Sequence, residues 1–161
     1  MAKRSDGRRT SIGERFLMSR AGYAYTLRLA PRIDRLLIPR THGRFSSLGF
    51  DRVGFLTTTG AKSGEQRTNP VLLIRQADAL LAVGSNYGRP THPSWSANLI
   101  AHPDCEVEFL GPRAPFRATL LTGQERERVW ETVLDYSVAY ERYAVKAAPR
   151  QIRLFRLVPR Q

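Results

Sequence analysis

A short stretch at residues 57–70 combines the residue types that bind an anion. Two glycines let the backbone turn and direct its N–H groups at a ligand. A lysine adds a compact positive charge for a phosphate, and an arginine adds a planar fork of donors. The apolar runs at residues 53–56 and 71–74 are typical of strands. The pattern predicts a hairpin whose turn binds an anion, with an ordinary polar turn as the alternative. The residues concerned are Gly60, Lys62, Ser63, Gly64 and Arg67.

Three tyrosines towards the C-terminal end have the spacing of one helix face, provided that the helix is continuous. They are Tyr136, Tyr140 and Tyr143. A buried tyrosine needs a partner for its hydroxyl, and a polar ligand can be that partner. This face is therefore either a stripe of core aromatics or a pocket wall. Trp95 and Asn98 lie three residues apart on a predicted short helix and face the same way; with Trp95 in the core, Asn98 would bond to backbone.

Several other catalytic classes lack their motifs in this chain. A phosphate-loop NTPase needs glycine directly before the lysine and a helix directly after the loop, whereas here Ala61 precedes Lys62 and an extended run follows. No dinucleotide-binding fingerprint and no nucleophile elbow occurs. The three histidines lack ligand spacing, so no metal site is expected. The single cysteine, Cys105, excludes an internal disulfide and fits a packing role in a strand.

Positive charge is concentrated in the N-terminal third of this 161-residue chain, whose formal net charge is +12. Residues 1–52 hold 12 Lys/Arg against 4 Asp/Glu, which favours phosphates, anionic lipid or nucleic acid. The absence of a nucleic-acid motif and of interleaved aromatics argues against a nucleic-acid partner. No apolar run reaches the roughly 20 residues that span a bilayer, and no apolar export region follows Arg8-Arg9. We therefore expect a cytoplasmic protein.

The elements that must position these residues are short strands with helices between them. Residues 1–11 are polar and basic, and we expect them to be mobile. Residues 12–161 form the predicted single domain, which begins with an amphipathic helix. About six strands joined by tight turns predict an antiparallel barrel in a mainly β fold with helices (α+β). The predicted strands are residues 53–56, 71–74, 79–85, 105–110, 116–121 and 152–157; the predicted helices are 94–101 and a segment from 124 that either continues to 146 or breaks and restarts.

Two parts of the chain resemble the signature of the deazaflavin-dependent nitroreductase family. The first part is Leu56-Thr57-Thr58-Thr59-Gly60-x-Lys62-Ser63-Gly64-x-x-Arg67-x-Asn69-Pro70. The second is Val83-Gly84-Ser85-Asn86-x-Gly88 with Pro93-x-Trp95-x-x-Asn98-Leu99, followed by His102-Pro103. Order and spacing agree over roughly residues 50–110, and the three tyrosines add a weaker match. The combination is specific, whereas any single piece is not.

The resemblance implies a split β-barrel of the flavin-reductase/FMN-binding type that binds coenzyme F420, a deazaflavin with a polyanionic phospholactyl-oligoglutamate tail. In the family a lysine, a small hydroxyl residue and a later arginine hold the phosphate; the matching residues are Lys62, Ser63 and Arg67, with Gly64 in the same turn. The segments that run beside the ring match Asn69, Pro70, Ser85 and Asn86. Trp95 and Asn98 match a helix that closes the groove, and the tyrosines match a wall that positions the acceptor or assists proton delivery.

The function implied is an F420H2-dependent oxidoreductase that transfers hydride to a quinone or another electron-poor acceptor, either an activated alkene or a nitroaromatic. Menaquinone would suit the amphipathic N-terminal helix, which could rest on the inner face of the membrane. The protein would be a monomer or a homodimer. Ala61 and Asn86 depart from the family pattern: a basic residue often stands at the first of these positions, and some members have lysine at the second. The alternatives are an FMN-binding split barrel, a deazaflavin carrier and a basic nucleic-acid-binding module.

Overall fold

The computed structural model describes residues 53–160 and, by itself, Ile33. The expected mobile segment at residues 1–11 and the expected N-terminal amphipathic helix lie outside the described residues. Within residues 53–160, no helix has the length and apolar character needed to cross a membrane.

Six strands and three helices make up the described part of the chain. The strands are β1 (Val53–Thr59), β2 (Gln66–Gln76), β3 (Ala79–Gly84), β4 (Asp104–Glu108), β5 (Ala114–Leu120) and β6 (Arg153–Pro159). The helices are α1 (Ser94–Ala101), α2 (Gly123–Tyr136) and α3 (Ala139–Ala147), and a 3-10 turn covers Asn86–Gly88. The strands close into a barrel in the order β1-β2-β3-β6-β5-β4, and every neighbouring pair is antiparallel. The predicted antiparallel barrel of six strands is confirmed.

The core has two layers, because β3 and β6 are covered on both faces. One cluster fills the barrel interior and includes Leu56, Leu73 and Phe155. The second cluster lies between the outside of β3 and β6 and the helices α2 and α3; it includes Leu81 and Val133. All six residues of β3 are buried, as expected for a strand with apolar contacts on both faces. Each fully buried Leu or Phe contributes about 1.5–3 kcal/mol, so these layers hold α2 and α3 firmly against the barrel.

One end of the barrel gathers the segments that the sequence singled out. The β1–β2 turn, the loop after β3 and helix α1 all leave the strands at this end, which we call the α1 end. The β2–β3 and β4–β5 turns lie at the opposite end. A cavity of about 360 Å³ also lies at the opposite end, between those two turns, and its walls include none of the predicted site residues.

The hairpin turn is shorter than predicted, because the strands extend into residues 57–70. Thr57 pairs with Thr68 across the β1–β2 ladder, and their hydroxyl oxygens lie 2.8 Å apart. Threonine is β-branched and favours a strand when it has such a partner. The turn itself covers only residues 60–65. Pro70 is tolerated within β2 because β2 pairs with β3 only from Leu73 onward, so no ladder hydrogen bond is lost there.

The helix that carries the tyrosines breaks and restarts, which was one of the two predicted alternatives. Ser137 is extended, with φ −160°, and separates α2 from α3. Its hydroxyl accepts a hydrogen bond from the N–H of Ala139 at 3.3 Å, at the start of α3. Tyr136 therefore ends α2, whereas Tyr140 and Tyr143 lie on α3. The three tyrosines do not share the face of a single helix.

Candidate functional site

The β1–β2 turn is closed by its own backbone. The N–H of Gly60 donates to the carbonyl of Glu65 at 2.8 Å, and the N–H of Gly64 donates to the carbonyl of Gly60 at 2.9 Å. Gly64 has a φ of +70°, a conformation that glycine adopts at little cost. A side chain at Gly60 would place its Cβ 2.6 Å from the hydroxyl oxygen of Ser63. The shape of the turn therefore requires glycine at Gly64, whereas a side chain at Gly60 would displace the Ser63 hydroxyl.

This turn leaves donors free on an exposed surface. Among the described residues, nothing accepts a hydrogen bond from the backbone N–H groups of Lys62 and Ser63. The Lys62 side chain is exposed beside them. Arg67 is also exposed, and its guanidinium contacts the carboxylate of Glu65 at 2.8 Å. Such an exposed ion pair contributes only about 0–1 kcal/mol, so a phosphate can replace the carboxylate. These groups fit a polyanionic tail.

Asn98 joins helix α1 to this turn. Its Oδ1 accepts a hydrogen bond from the N–H of Ala61 at 3.0 Å. Its Nδ2 donates to the hydroxyl of Thr58 at 3.0 Å. Asn98 is 7% exposed and Thr58 is 1% exposed, so water cannot readily replace this second bond. The amide of Asn98 therefore fixes the residue that directly precedes Lys62.

Trp95, the neighbour of Asn98 on α1, belongs to the barrel core. It is 6% exposed, and its ring centroid lies 5.8 Å from that of Phe155. The sequence interpretation that placed Trp95 in the core describes its position. Asn98 bonds to backbone, as that interpretation expected, and also to the side chain of Thr58. Asn69 and Pro70 lie on β2 opposite Leu56 and Phe55 and are at least partly exposed.

The loop after β3 has an unusual backbone. Asn86, Tyr87 and Gly88 are consecutive residues with φ values of 48°, 55° and 74°. Asparagine tolerates this left-handed region better than most residues, and the Asn86 side chain donates to the carbonyl of Thr91 at 2.8 Å. These two facts give a physical reason for asparagine at this position. Tyr87 has no such advantage, and its conformation costs about 1–2 kcal/mol.

Four tyrosines meet where this loop packs on α3. The ring centroids of Tyr140 and Tyr143 lie 5.7 Å apart, and those of Tyr87 and Tyr143 lie 6.4 Å apart. Burial raises the pKa of Tyr140 well above its ordinary value, with further increases from Tyr143, Tyr136 and Tyr87. Its hydroxyl is therefore neutral at physiological pH. Within the described part of the chain, no residue hydrogen-bonds to that hydroxyl.

Two residues of this site were missed at the sequence level. Tyr87 carries no local signal, because tyrosine is seldom left-handed. Arg150, after α3, donates to the loop that follows β3 from more than 60 positions away, and no sequence spacing indicates such a contact. Nearby, His92 has a pKa that is lowered by burial and then by the charges of Arg153 and Arg150.

Metal binding finds no support within residues 53–160, where no group of three or more potential ligand side chains converges. Cys105 is buried in β4, and burial raises the pKa of its thiol to about 12, with smaller contributions from Asp104 and Glu106. A thiol with this pKa is protonated and unreactive at neutral pH. The expected packing role of Cys105 agrees with this environment.

The chain matches known proteins over most of its length. Residues 30–158 match the family described as F420H(2)-dependent quinone reductase. The F420H(2)-dependent quinone reductase Rv1261c of Mycobacterium tuberculosis is 39% identical over 82 residues, which cover 48% of this chain and 54% of that protein. The putative F420H(2)-dependent quinone reductase Rv3178 of the same organism is 32% identical over 74 residues, which cover 46% of this chain and 62% of that protein. The chain thus spans less than two thirds of the length of each of these relatives.

Solved structures with the same fold include a protein described as an F420-H2 dependent reductase (FDR-A). It is 34% identical, with a TM-score of 0.59, and the match covers 65% of this chain and 92% of that one. A second structure, described as a domain-swapped dimer, is 29% identical, with a TM-score of 0.57 and coverage of 78% and 97%.

Proposed function

Since the chain belongs to the F420H(2)-dependent quinone reductase family, we propose that it reduces a quinone with hydride from reduced coenzyme F420. The observation that carries this proposal is the match of residues 30–158 to that family. The free donors of the β1–β2 turn support it, because they suit the anionic tail of this cofactor. When bound, the reduced deazaflavin supplies the hydride; the remaining steps fall to the residues of this chain.

In this proposal the β1–β2 turn binds the tail. The N–H groups of Lys62 and Ser63 and the Lys62 ammonium bind phosphate oxygens. Arg67 releases the Glu65 carboxylate and binds the phosphate instead. Gly64 adopts the left-handed backbone conformation that gives the turn its shape. Asn98 holds Ala61 and so fixes the direction of the adjacent donors. Ala61 carries no charge, but its backbone N–H forms the anchor of the turn.

In the same proposal Asn69, Pro70, Ser85 and Asn86 would hold the cofactor ring, and α1 would border the groove. Trp95 contributes by packing α1 onto the barrel core instead of presenting its ring to solvent. A groove lined in this way would hold the two reactants close together.

The acceptor lies against the tyrosines. The neutral hydroxyl of Tyr140 donates a hydrogen bond to the quinone oxygen on which negative charge develops. Because its pKa is raised, Tyr140 stabilises that charge without giving up its proton, and water completes the protonation to the quinol. Tyr143 and Tyr136 shape the wall, since Tyr143 packs directly on Tyr140.

The acceptor range and setting are also part of this proposal. Quinones are the favoured class, menaquinone is the lipophilic candidate, and activated alkenes and nitroaromatics are alternatives. The expected N-terminal helix would bring a cytoplasmic enzyme to the membrane surface, and sedimentation with anionic vesicles tests this contact. The protein would be a monomer or a homodimer, which light scattering distinguishes.

The other candidate functions make different predictions. An FMN-binding protein would be purified as a yellow flavin complex, and the family to which the chain belongs gives FMN no support. A nucleic-acid-binding module would bind DNA with a steep salt dependence and would not bind F420. A deazaflavin carrier would bind F420 without turnover.

Anaerobic turnover tests the proposed function directly. Reduced F420 is mixed with a water-soluble naphthoquinone, and the return of the fluorescence of oxidised F420 is followed. We expect saturable turnover, a KM for F420H2 at least fivefold higher in Arg67→Ala, and no change in Arg128→Ala, which removes an exposed arginine from α2. Turnover no faster than the uncatalysed rate would refute the proposal.

A further inference from the structure

Arg150 makes an unusual set of contacts with the loop that follows β3. Its Nη2 donates to the carbonyls of Ser85 and Arg89, both at 2.8 Å, and its Nε donates to the same Arg89 carbonyl at 3.1 Å. Its Nη1 donates to the carbonyl of Gly84 at 3.3 Å and contacts Nδ1 of His92 at 3.4 Å. One side chain thus holds both ends of the loop at residues 84–92.

These contacts use the whole guanidinium group. Arginine has five N–H donors and no acceptor, and each of the five has a partner in the loop. Because arginine only donates, Nδ1 of His92 is the acceptor, and a neutral His92 carries its proton on Nε2. Arg150 therefore has no donor left for a ligand. Any effect of Arg150 on binding must pass through the loop that it holds.

The loop needs such a clamp because its backbone is left-handed at three consecutive residues. Inside it, the N–H of Gly88 donates to the carbonyl of Ser85, and the N–H of Arg89 donates to the carbonyl of Asn86, both at 3.0 Å. Gly88 packs tightly on α3, where an added Cβ would lie 3.1 Å from the backbone of Tyr143. The same loop therefore carries Ser85 and Asn86 and also presents Tyr87 to the tyrosines.

We propose that Arg150 is a positioning residue that locks the loop at residues 84–92 in the shape that receives the cofactor ring, without touching the ligand. It couples the ring side of the groove to α3, which carries the acceptor-side tyrosines. This inference rests on the proposed function, because the ring is placed beside Ser85 and Asn86 there.

The affinities for F420 and for the deazaflavin ring compound without the phosphate tail distinguish a positioning role from a general loss of stability. Arg150→Lys keeps the positive charge but loses the fork. Per folded molecule, it binds F420 at least tenfold more weakly than wild type, and it binds the deazaflavin ring compound without the phosphate tail more weakly by the same factor. Lys62→Ala, in the β1–β2 turn, weakens the binding of F420 but not the binding of the ring compound. Arg128→Lys, a charge-conserving change on the exposed face of α2, is the matched control and changes neither affinity.

Backbone amide exchange provides a readout that does not depend on the variant binding a ligand. In wild type without F420, we expect the amides of Gly88 and Arg89 to be protected already, because Arg150 orders the loop before the ligand binds. In Arg150→Lys these two amides exchange at least tenfold faster, whereas the amide of Leu121, bonded to the carbonyl of Leu154 at 2.9 Å, is unchanged. A loss of protection at Leu121 as well would mean that Arg150 merely stabilises the fold, and would overturn the proposal.

Each remaining outcome has a definite meaning. A folded Arg150→Lys with wild-type affinity for the ring compound overturns the positioning role and leaves the proposed function intact. If the variant does not fold, amide exchange of the wild-type protein provides the test. Protection of the Gly88 and Arg89 amides before F420 is added supports the positioning role, and protection that arises only after F420 is added overturns it. Wild type that binds neither ligand refutes the proposed function itself, and the positioning role with it.

Discussion

Replacement of Asn98 by alanine should uncouple the anion turn from the barrel. The change removes two hydrogen bonds of 3.0 Å, one to the N–H of Ala61 and one to the hydroxyl of Thr58. Thr58 is 1% exposed, and a buried group left without its partner costs about 1–3 kcal/mol. Water can reach the exposed Ala61, so loss of that bond costs about 0.5–1 kcal/mol. We therefore expect the free energy of unfolding to fall by about 1.5–4 kcal/mol.

The same change should weaken F420 binding at least fivefold, because Ala61 directly precedes the Lys62 donors. Thr58→Val provides the matched control. It removes only the buried bond, leaves the amide of Asn98 bonded to Ala61, and keeps the shape of the side chain. We expect it to lose about 1–3 kcal/mol of stability and to keep wild-type affinity for F420.

Urea denaturation and fluorescence titration of F420 together check this prediction. The expected pattern is one in which both variants lose stability but only Asn98→Ala loses affinity. Equal losses of affinity in both variants would refute the reasoning, because affinity would then follow stability and not the position of the turn. Unchanged affinity in Asn98→Ala would refute it as well.

Three further changes test other parts of the site. Tyr87→Gly removes a left-handed cost of about 1–2 kcal/mol and a ring contact with Tyr143 worth about 0.5–1.5 kcal/mol. Its free energy of unfolding should stay within about 1 kcal/mol of wild type while quinone turnover falls; a loss above about 2 kcal/mol would identify Tyr87 as a core residue. Tyr140→Phe should lower turnover about tenfold or more and leave F420 affinity unchanged, and unchanged turnover would leave Tyr140 a packing residue. The thiol pKa of Cys105 is raised from 9.0 to about 12, so the unfolded thiol ionises above pH 9.0 while the folded thiol does not. Stability should therefore fall as pH rises from 9.0 to about 12, and a Cys105→Ala variant with an equally steep fall in urea melts would contradict this cause.

Local sequence rules were sufficient for the elements whose causes are local. The bounds of α1, Ser94–Ala101, were predicted correctly because Pro93 precedes its first turn and Pro103 follows its end. Short apolar runs predicted the strands around residues 53–56, 71–74 and 79–85, and alternating apolar residues predicted those around 105–110 and 152–157. The residues that carry the family resemblance lie in segments at the α1 end of the barrel.

Contacts between distant residues account for what the sequence left undecided. Threonine suits both a turn and a strand, and only the pairing of Thr57 with Thr68 shortened the hairpin turn to residues 60–65. The partners of Asn98 lie 37 and 40 positions away, so spacing alone could not separate a ligand contact from a tether. The left-handed conformation of Tyr87 runs against its own preference, and Arg150, outside the loop, bonds to Ser85 and Arg89 on either side of it.

The proposed function depends most directly on binding of the anionic tail of F420 by the turn at residues 60–65. Titration of wild type, Lys62→Ala and Glu65→Gln by fluorescence tests this claim, because both side chains are exposed and neither change should alter stability by more than about 0.5 kcal/mol. We expect Lys62→Ala to bind F420 about tenfold more weakly, a loss of about 1.4 kcal/mol. Glu65→Gln should bind about two- to fivefold more tightly, since it removes a repulsion of about 1 kcal/mol or less at 4 Å or beyond in water. No binding by wild type, or equal affinities for all three proteins, would contradict the account.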